Sequence, residues 1–125
     1  MTRRPLKVLL VDDNEDSCEL FQMALEMEGH RVEATHDGAE GYQALVAGSF
    51  DVAVLDIGLP GMDGYQVARA THAALGERTP KLVAVTGYGH DADKEAASGA
   101  GFAAHLVKPV DVPKLLATIA SVLRD

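Results

Sequence analysis

The sequence predicts an α/β fold, in which helices cover both faces of a five-stranded parallel sheet. Apolar runs of four to six residues alternate along the chain with longer segments of helical period. This alternation is typical of strands joined by crossover helices. The predicted strands lie near residues 6–11, 31–35, 51–55, 81–85 and 103–107. At 125 residues, the chain is expected to form one domain, 1–125, around its own core.

The composition of the strands predicts their places in the sheet. The first, third and fourth are nearly all Val, Leu and Ala, as expected of parallel strands that are covered on both faces. The second, RVEATH, alternates apolar and polar residues instead. We therefore expect the second strand at an edge of the sheet.

The first predicted helix begins after Asn14. Glu15 and Asp16 follow it, and negative charge there is favourable because it faces the positive end of the helix dipole. The helical period also predicts a buried stripe on this helix. Its members are Leu20, Phe21, Ala24 and Leu25.

Start signals also mark the other predicted helices. Asp37, with Glu40 three residues later, resembles a capping box before the second helix. The third is expected to begin near Gly64 and the fourth near Asp91, while Asp111 precedes the fifth. The apolar positions of the fifth helix are Val112, Leu115, Leu116, Ile119 and Leu123.

The composition excludes several classes of protein. With 47% hydrophobic and 24% charged residues, the chain has the balance of a globular protein rather than of a disordered or membrane protein. Its net charge of -8 argues against non-specific binding to nucleic acid. The start, MTRRPLK, does not resemble a signal peptide, and Cys18 has no second cysteine to pair with. We expect a cytoplasmic location and no membrane partner.

Polar residues close four of the apolar strands. Asp12 and Asp13 follow the first strand, Asp56 the third, Thr86 the fourth and Lys108 the fifth. Parallel strands place their carboxyl ends on one edge of the sheet, where open α/β folds bind their ligands. Three carboxylates, a hydroxyl and an ammonium are therefore expected to meet at this edge.

The three carboxylates predict a metal site. Two charges ~4 Å apart repel by about 4 kcal/mol at an effective dielectric constant near 20, so a packed acidic cluster usually holds a cation. Oxygen ligands without His or Cys favour Mg²⁺, or else Mn²⁺, over zinc, and Mg²⁺ also accepts phosphate oxygens. We interpret the nearby Asp63 as a helix-start residue rather than a ligand.

Four segments resemble the receiver domain of two-component response regulators, over essentially the whole chain. They are VDDNED, LDIGLPGMDGY, VAVTGYG and HLVKPVD, each at the expected strand end and in the expected order. The resemblance implies a doubly wound, flavodoxin-like sheet of order 2-1-3-4-5. It also implies an aspartate that accepts a phosphoryl group from a sensor histidine kinase or a histidine phosphotransfer protein. Such a domain switches an interaction surface and is not a conventional enzyme, although its site promotes its own phosphorylation and hydrolysis.

On this chain, the resemblance makes Asp56 the phosphoacceptor. The implied Mg²⁺ ligands are Asp13, Asp56 and the backbone carbonyl of Gly58, with Asp12 acting through water. Thr86 and Lys108 would contact the phosphoryl oxygens, and a cis bond before Pro109 would aim the lysine into the site. Gly58 and Tyr88 would bear on the lifetime of the phospho-aspartate.

The resemblance also implies a switch, and here the sequence departs from the common pattern. The family usually has an aromatic residue three positions before the lysine, where this chain has His105. Because histidine is smaller than tyrosine and titrates near neutrality, the coupling would be weaker, pH-dependent or built differently, unless His105 has no switching role. The other histidines lack metal-ligand spacing, and we interpret them as surface residues. They are His30, His36, His72 and His90.

Three alternatives compete with this interpretation. A haloacid-dehalogenase-like phosphatase would need a second Asp two residues after Asp56, where this chain has Gly58. GYGHDA matches the GxGxxA pattern of nucleotide-binding modules, but it follows the fourth strand rather than the first. A degenerate receiver would act as an interaction module without phosphorylation.

The resemblance implies an output surface as well. The fourth predicted helix, the fifth strand and the fifth predicted helix are expected to contact an effector protein or a second copy of the chain. HLVKPVD fits both a stand-alone regulator and the receiver of a hybrid histidine kinase.

Overall fold

A computed structural model describes residues 5–87 and 99–123 of the chain. The elements in these ranges are, in order, β1 (Lys7–Val11), α1 (Glu15–Met27), β2 (Arg31–Thr35), α2 (Gly38–Ala47), β3 (Val52–Asp56), α3 (Gly64–Leu75), a 3-10 turn (Gly76–Arg78), β4 (Lys81–Thr86), β5 (Ala104–Val107) and α4 (Val112–Val122). The five predicted strands are confirmed, with bounds within one residue of those expected. The helix expected near Asp91 lies outside the described residues, as do Tyr88 and His90.

The strands form one parallel sheet of order β2-β1-β3-β4-β5, as the resemblance implies. β2 is an edge strand, which confirms the interpretation of its alternating sequence. Because all strands run the same way, the sheet has two distinct ends. We call the end at which the strands stop the carboxyl edge, and the end at which they start the amino edge.

The sheet separates two apolar clusters. Leu10 of β1 packs with residues of α1 and α4, whereas its neighbour Leu9 packs with residues of α2 and α3. Leu115 and Ile119, two of the apolar positions predicted for the last helix, are fully buried in the first cluster. Helices therefore cover both faces, and the strands are held firmly enough to fix the residues at their ends.

The inward face of α1 differs from the prediction. Asn14 caps the helix as expected, since its side chain accepts a hydrogen bond of 3.0 Å from the Ser17 backbone N–H. The buried positions, however, are Cys18, Phe21 and Leu25, and Leu20 is 54% exposed. Cys18, Phe21 and Leu25 follow one another at spacings of three and four residues, and they define the inward face of the helix. The prediction was wrong at Leu20 because that position lies on the opposite, outer side. Leu20, Met23 and Met27 form an exposed apolar line there.

Aspartates cap α2, α3 and α4. Asp37, Asp63 and Asp111 each accept a hydrogen bond from the backbone N–H three residues later. Asp63 forms a full capping box with Gln66, which confirms it as a helix-start residue. Glu40 instead accepts from the His36 backbone N–H, so the second cap is not the reciprocal box that was expected.

The prediction that all four of the histidines other than His105 lie at the surface is wrong for His30, which is buried. His30 is 7% exposed, and its Nδ1 lies 3.0 Å from the Leu6 backbone N–H, from which it accepts a hydrogen bond. Sequence spacing does not show that a histidine just before a strand replaces a backbone acceptor. Within residues 5–87 and 99–123, no helix has the length and continuous apolar sequence needed to cross a bilayer.

Candidate functional site

The carboxyl edge brings together the polar residues that close the strands. Asp12 directly follows β1, Asp56 ends β3, Thr86 ends β4 and Lys108 directly follows β5. The hydrogen bonding between β4 and β5 continues to these residues. The Lys108 backbone N–H donates to the Thr86 carbonyl at 2.8 Å. The regular sheet thus fixes the backbone of each polar residue relative to its neighbours.

Three carboxylates meet at this edge. One oxygen each from Asp12, Asp13 and Asp56 lies within 4.8 Å of the others, and in the described part of the chain no other group of His, Cys, Asp or Glu forms such a cluster. Asp56 is only 4% exposed, Asp12 is half-buried and Asp13 is exposed. The cluster thus extends from the protein interior to solvent.

The surroundings of Asp12 disfavour its charged form. Burial raises the pKa of the Asp12 carboxyl. The hydrogen bond from the Asn14 backbone N–H opposes this shift, the negative charge of Asp56 adds to it, and Lys108 lowers the pKa again. A further positive charge that enters the cluster would therefore stabilise the ionised form of Asp12.

Both oxygens of the Asp56 carboxylate have hydrogen-bond donors. Oδ2 accepts a hydrogen bond of 3.0 Å from the Lys108 ammonium, and Oδ1 accepts one of 3.0 Å from the Gly58 backbone N–H. These two donors hold the plane of the carboxylate. Gly58 therefore orients Asp56 through its backbone and contributes no side chain.

Lys108 is the basic member of the group. Partial burial lowers the pKa of its ammonium, but the hydrogen bond to Asp56 and the charges of Asp56, Asp12 and Asp13 outweigh that effect, so the pKa is raised. The side chain is 45% exposed, which leaves it open to an incoming anion. The peptide bond between Lys108 and Pro109, for which a cis isomer is expected, is cis.

Gly64 is a further residue on which the site depends, and the sequence analysis assigned it no role beyond the start of a helix. A Cβ atom at Gly64 would lie 2.7 Å from the backbone oxygen of Asp56 and 2.8 Å from the Cα of Ile57. Because α3 packs this tightly on the backbone of β3, any larger residue would move the strand end that carries Asp56. A glycine as the first helical residue, where alanine has the higher helix propensity, is the signal that could have found it.

The two expected switch residues lie on neighbouring strands. Thr86 is 3% exposed. His105 lies on β5 opposite Ala84, and its Nε2 is buried without a hydrogen-bond partner in the described structure. Tyr88, which was expected beside the site, lies outside the described residues.

A cleft of about 470 Å³ opens beside Lys108. Its walls come from the end of β1, the first turns of α1, β4 and the connection between β5 and α4. The lining residues are Asp12, Asn14, Ser17, Phe21, Val85, Lys108, Pro109 and Val110. It adjoins the carboxylate cluster, since Asp12 is among its lining residues.

The donor atoms at the carboxyl edge suit a hard divalent cation. They are the carboxylate oxygens of Asp12, Asp13 and Asp56. Mg²⁺ and similar ions take such oxygen ligands and retain water, whereas zinc prefers imidazole and thiolate. The residues present therefore fit the divalent metal that was expected from the sequence.

Comparison with known proteins identifies relatives of the chain. The family described as response regulator receiver domain matches residues 8–120. The response regulator ArlR of Staphylococcus saprophyticus is 29% identical over 118 residues, which are 94% of this chain and 52% of ArlR. The chain thus spans about half the length of this curated relative.

Solved structures share the fold. A CheY-like response regulator receiver domain protein from Methanospirillum hungatei is similar at 30% identity and a TM-score of 0.88, covering 96% of this chain and 94% of that one. The receiver domain of the sensor histidine kinase PA1611 from Pseudomonas aeruginosa is 26% identical, with a TM-score of 0.86 and coverage of 96% and 98%. That structure has a magnesium ion coordinated in the active site cleft.

Proposed function

This chain belongs to the response regulator receiver domain family, and we propose that its Asp56 accepts a phosphoryl group from a phosphohistidine. One observation carries the proposal: Asp56 is a buried carboxylate hydrogen-bonded to Lys108, with two more carboxylates within 4.8 Å. A purely structural ion pair has no need of the two further acids. A phosphoryl-transfer site needs them to hold a cation.

The residues have distinct tasks in the proposed transfer. An oxygen of Asp56 forms the new O–P bond while the P–N bond to the donor histidine breaks and its electron pair stays on the ring nitrogen. A carboxylate reacts poorly with an anionic phosphoryl group unless the oxygens are neutralised. Lys108, already 3.0 Å from Asp56, pairs with a phosphoryl oxygen, and the Thr86 hydroxyl donates to another.

The metal is proposed to be Mg²⁺, with Mn²⁺ as a substitute. Asp13, Asp56 and the carbonyl of Gly58 would hold it, with Asp12 acting through water. When bound, it neutralises negative charge on the phosphoryl oxygens. The magnesium in the cleft of the Pseudomonas aeruginosa receiver domain supports this choice.

The donor is proposed to be a histidine kinase or a histidine phosphotransfer protein that docks on α1. The exposed apolar line of Leu20, Met23 and Met27, with side chains 54%, 60% and 83% exposed, supports this surface. Asn14, which caps this helix, and Ser17 of its first turn line the cleft beside Lys108. A donor on this face would bring its phosphohistidine to the carboxyl edge.

Phosphorylation is proposed to switch an output surface that includes β5 and α4. Thr86 would move toward the phosphoryl group, and His105 would change its position in response. Among residues 5–87 and 99–123, the buried Nε2 of His105 has no hydrogen-bond partner. This supports a second arrangement, because unsatisfied buried nitrogens are costly and a moved ring could find a partner. The effector protein or second copy of the chain would read this change.

Intact-mass measurement after incubation with acetyl phosphate tests the phosphoacceptor. The wild type should gain one phosphoryl group only when Mg²⁺ is present, and Asp56→Asn should gain none. Asp51→Asn is a matched control, since Asp51 directly precedes the strand that Asp56 ends, and it should be labelled like the wild type. Labelling of Asp56→Asn at the wild-type rate would refute the assignment.

A further inference from the structure

His36, which directly follows the end of β2, contacts the backbone of the acidic cluster. Its ring nitrogen Nδ1 lies 3.1 Å from the backbone oxygen of Asp12. A carbonyl oxygen can only accept a hydrogen bond, so Nδ1 must carry a proton and donate it. The contact therefore fixes the tautomer of the neutral His36 ring, and a doubly protonated ring would donate from the same atom.

The two histidines that flank β2 are used in opposite ways. His30 precedes the strand, and its Nδ1 accepts a hydrogen bond from the Leu6 backbone N–H, so that nitrogen carries no proton. His36 follows the strand and donates from Nδ1. The first ring closes the amino edge of the sheet, whereas the second reaches the carboxyl edge, where the carboxylates meet.

The carbonyl that His36 binds belongs to the peptide group between Asp12 and Asp13. Thr35 holds the other side of Asp12, because the Thr35 carbonyl accepts a hydrogen bond of 3.1 Å from the Asp12 backbone N–H. The end of β2 therefore holds Asp12 at both its N–H and its carbonyl. Rotation of the peptide group after Asp12 would turn the two acidic side chains relative to each other.

Asp13 depends most on a fixed peptide group. Asp56 is buried at the end of β3, and Asp12 accepts a hydrogen bond of 2.9 Å at Oδ1 from the Asn14 backbone N–H. Asp13 is exposed and lies two residues beyond the end of β1, so neither burial nor the strand fixes its direction. The backbone that precedes Asp13 therefore directs its carboxylate toward the cluster.

His36 is itself held by the start of α2. Its backbone N–H donates to the Glu40 carboxylate at 3.2 Å, and the next residue, Asp37, caps the helix. The ring borders a pocket of about 230 Å³ between α1 and the end of β2. A changed side chain at this position therefore has room, and the backbone bond to Glu40 survives the change.

We propose that His36 is a positioning residue of the metal site, whose Nδ1–H holds the peptide group between Asp12 and Asp13 so that both carboxylates face the same cation. The proposal rests on the divalent-metal function proposed above for these acids. It adds to that function a residue that acts on the metal through its ligands. Loss of a group that orients metal ligands typically weakens metal binding by about 10-fold to 100-fold.

Three substitutions separate the hydrogen bond from the rest of the side chain. The amide nitrogen of asparagine lies as many bonds from Cα as Nδ1 of histidine does, so His36→Asn can keep the bond. In His36→Gln the amide nitrogen lies one bond further out, and His36→Leu has no donor. His72→Leu is the matched control, because His72 Nε2, in the last turn of α3, donates to the Gly101 carbonyl at 3.0 Å.

Calorimetric titration of each unphosphorylated protein with Mg²⁺ measures the dissociation constant without any transfer reaction. We expect His36→Leu and His36→Gln to raise this constant by about tenfold or more, with His36→Asn and His72→Leu within about twofold of the wild type. Labelling with acetyl phosphate gives a second readout. In His36→Leu the Mg²⁺ concentration for half-maximal labelling should rise by the same factor, while the rate at saturating Mg²⁺ stays close to that of the wild type.

Two results would overturn the proposal and leave the metal site intact. One is a His36→Leu protein, shown by its melting curve to be folded, whose Mg²⁺ dissociation constant is within about twofold of the wild type. The other is equal Mg²⁺ affinity of His36→Asn and His36→Gln, and this pair alone decides if His36→Leu does not fold. A wild type that binds no Mg²⁺ would instead refute the metal function, and the role of His36 with it.

Discussion

The two edges of the sheet use the same residue types in opposite ways. At the amino edge, an Asp51 carboxylate oxygen accepts a 2.9 Å hydrogen bond from the Lys7 backbone N–H, and His30 accepts one of 3.0 Å from Leu6. Each of these two side chains accepts a backbone N–H at the start of β1. At the carboxyl edge, Asp12, Asp13 and Asp56 face one another within 4.8 Å, and Lys108 carries an opposing charge beside them.

The difference shows how to separate structural from functional polar residues. An amino-edge acid contributes stability, because its partner is a backbone group that the folded chain supplies. The carboxyl-edge acids repel one another until something from outside neutralises them. Substitutions at the first edge should therefore change stability, and substitutions at the second should change phosphorylation.

Removing Lys108 should give the largest effect. Lys108→Ala deletes the ammonium that lies 3.0 Å from Asp56, and with it the cation available to a phosphoryl oxygen. Loss of one such preorganised contact typically lowers a rate by about 100-fold to 1,000-fold. Labelling rates with acetyl phosphate would measure the loss. Lys114→Ala, at an exposed position of α4, should label like the wild type, and an equal loss in both variants would contradict the assigned role.

Adding one methyl group at Gly64 should damage both stability and labelling. Gly64→Ala forces a Cβ to within 2.8 Å of the backbone of Asp56 and Ile57, and overpacking of this kind costs about 1–3 kcal/mol. Denaturant unfolding would measure the loss. Gly99→Ala is the control, because a Cβ there meets nothing within 4 Å. A Gly64→Ala protein of wild-type stability would show that α3 does not set the clearance at this edge.

At the amino edge, Asp51→Ala should lower stability and spare the chemistry. The Lys7 backbone N–H loses a charged acceptor, which is worth on the order of 1–2 kcal/mol in unfolding free energy. The rate of Mg²⁺-dependent labelling of the folded protein should stay at the wild-type value. A labelling defect in this variant would break the distinction between the two edges.

The smallest effect concerns the pH dependence of Asp12. Burial raises the pKa of this carboxyl above its usual value, so in the window between the unfolded and folded pKa the folded state binds more protons. Stability from this group therefore falls as pH rises through that window and stays reduced at neutral pH. Without divalent metal, Asp12→Asn should gain stability relative to the wild type as pH rises from acid to neutral. A gain that shrinks with rising pH would contradict the shift.

Much of the fold and of the site could be predicted from the sequence, for identifiable reasons. Apolar runs set the strand bounds, and parallel strands place Asp56, Thr86 and Lys108 on one edge. The wrong predictions needed packing information. Leu20 is outward because Cys18 sets the inward face of α1, and His30 is buried because its ring accepts a backbone hydrogen bond. The clearance at Gly64 depends on how α3 meets β3, which no local pattern records.

Thermal melting of the wild type, Asp13→Asn and Asp51→Asn, with and without saturating Mg²⁺, tests most directly whether the carboxyl edge is built for an incoming cation. Without metal, Asp13→Asn should melt above the wild type because one of three facing charges is gone. Mg²⁺ should raise the melting temperature of the wild type and of Asp51→Asn but not that of Asp13→Asn, since a ligand that binds only the folded state stabilises it. An equal Mg²⁺ shift in all three proteins, or no shift in the wild type, would contradict the account.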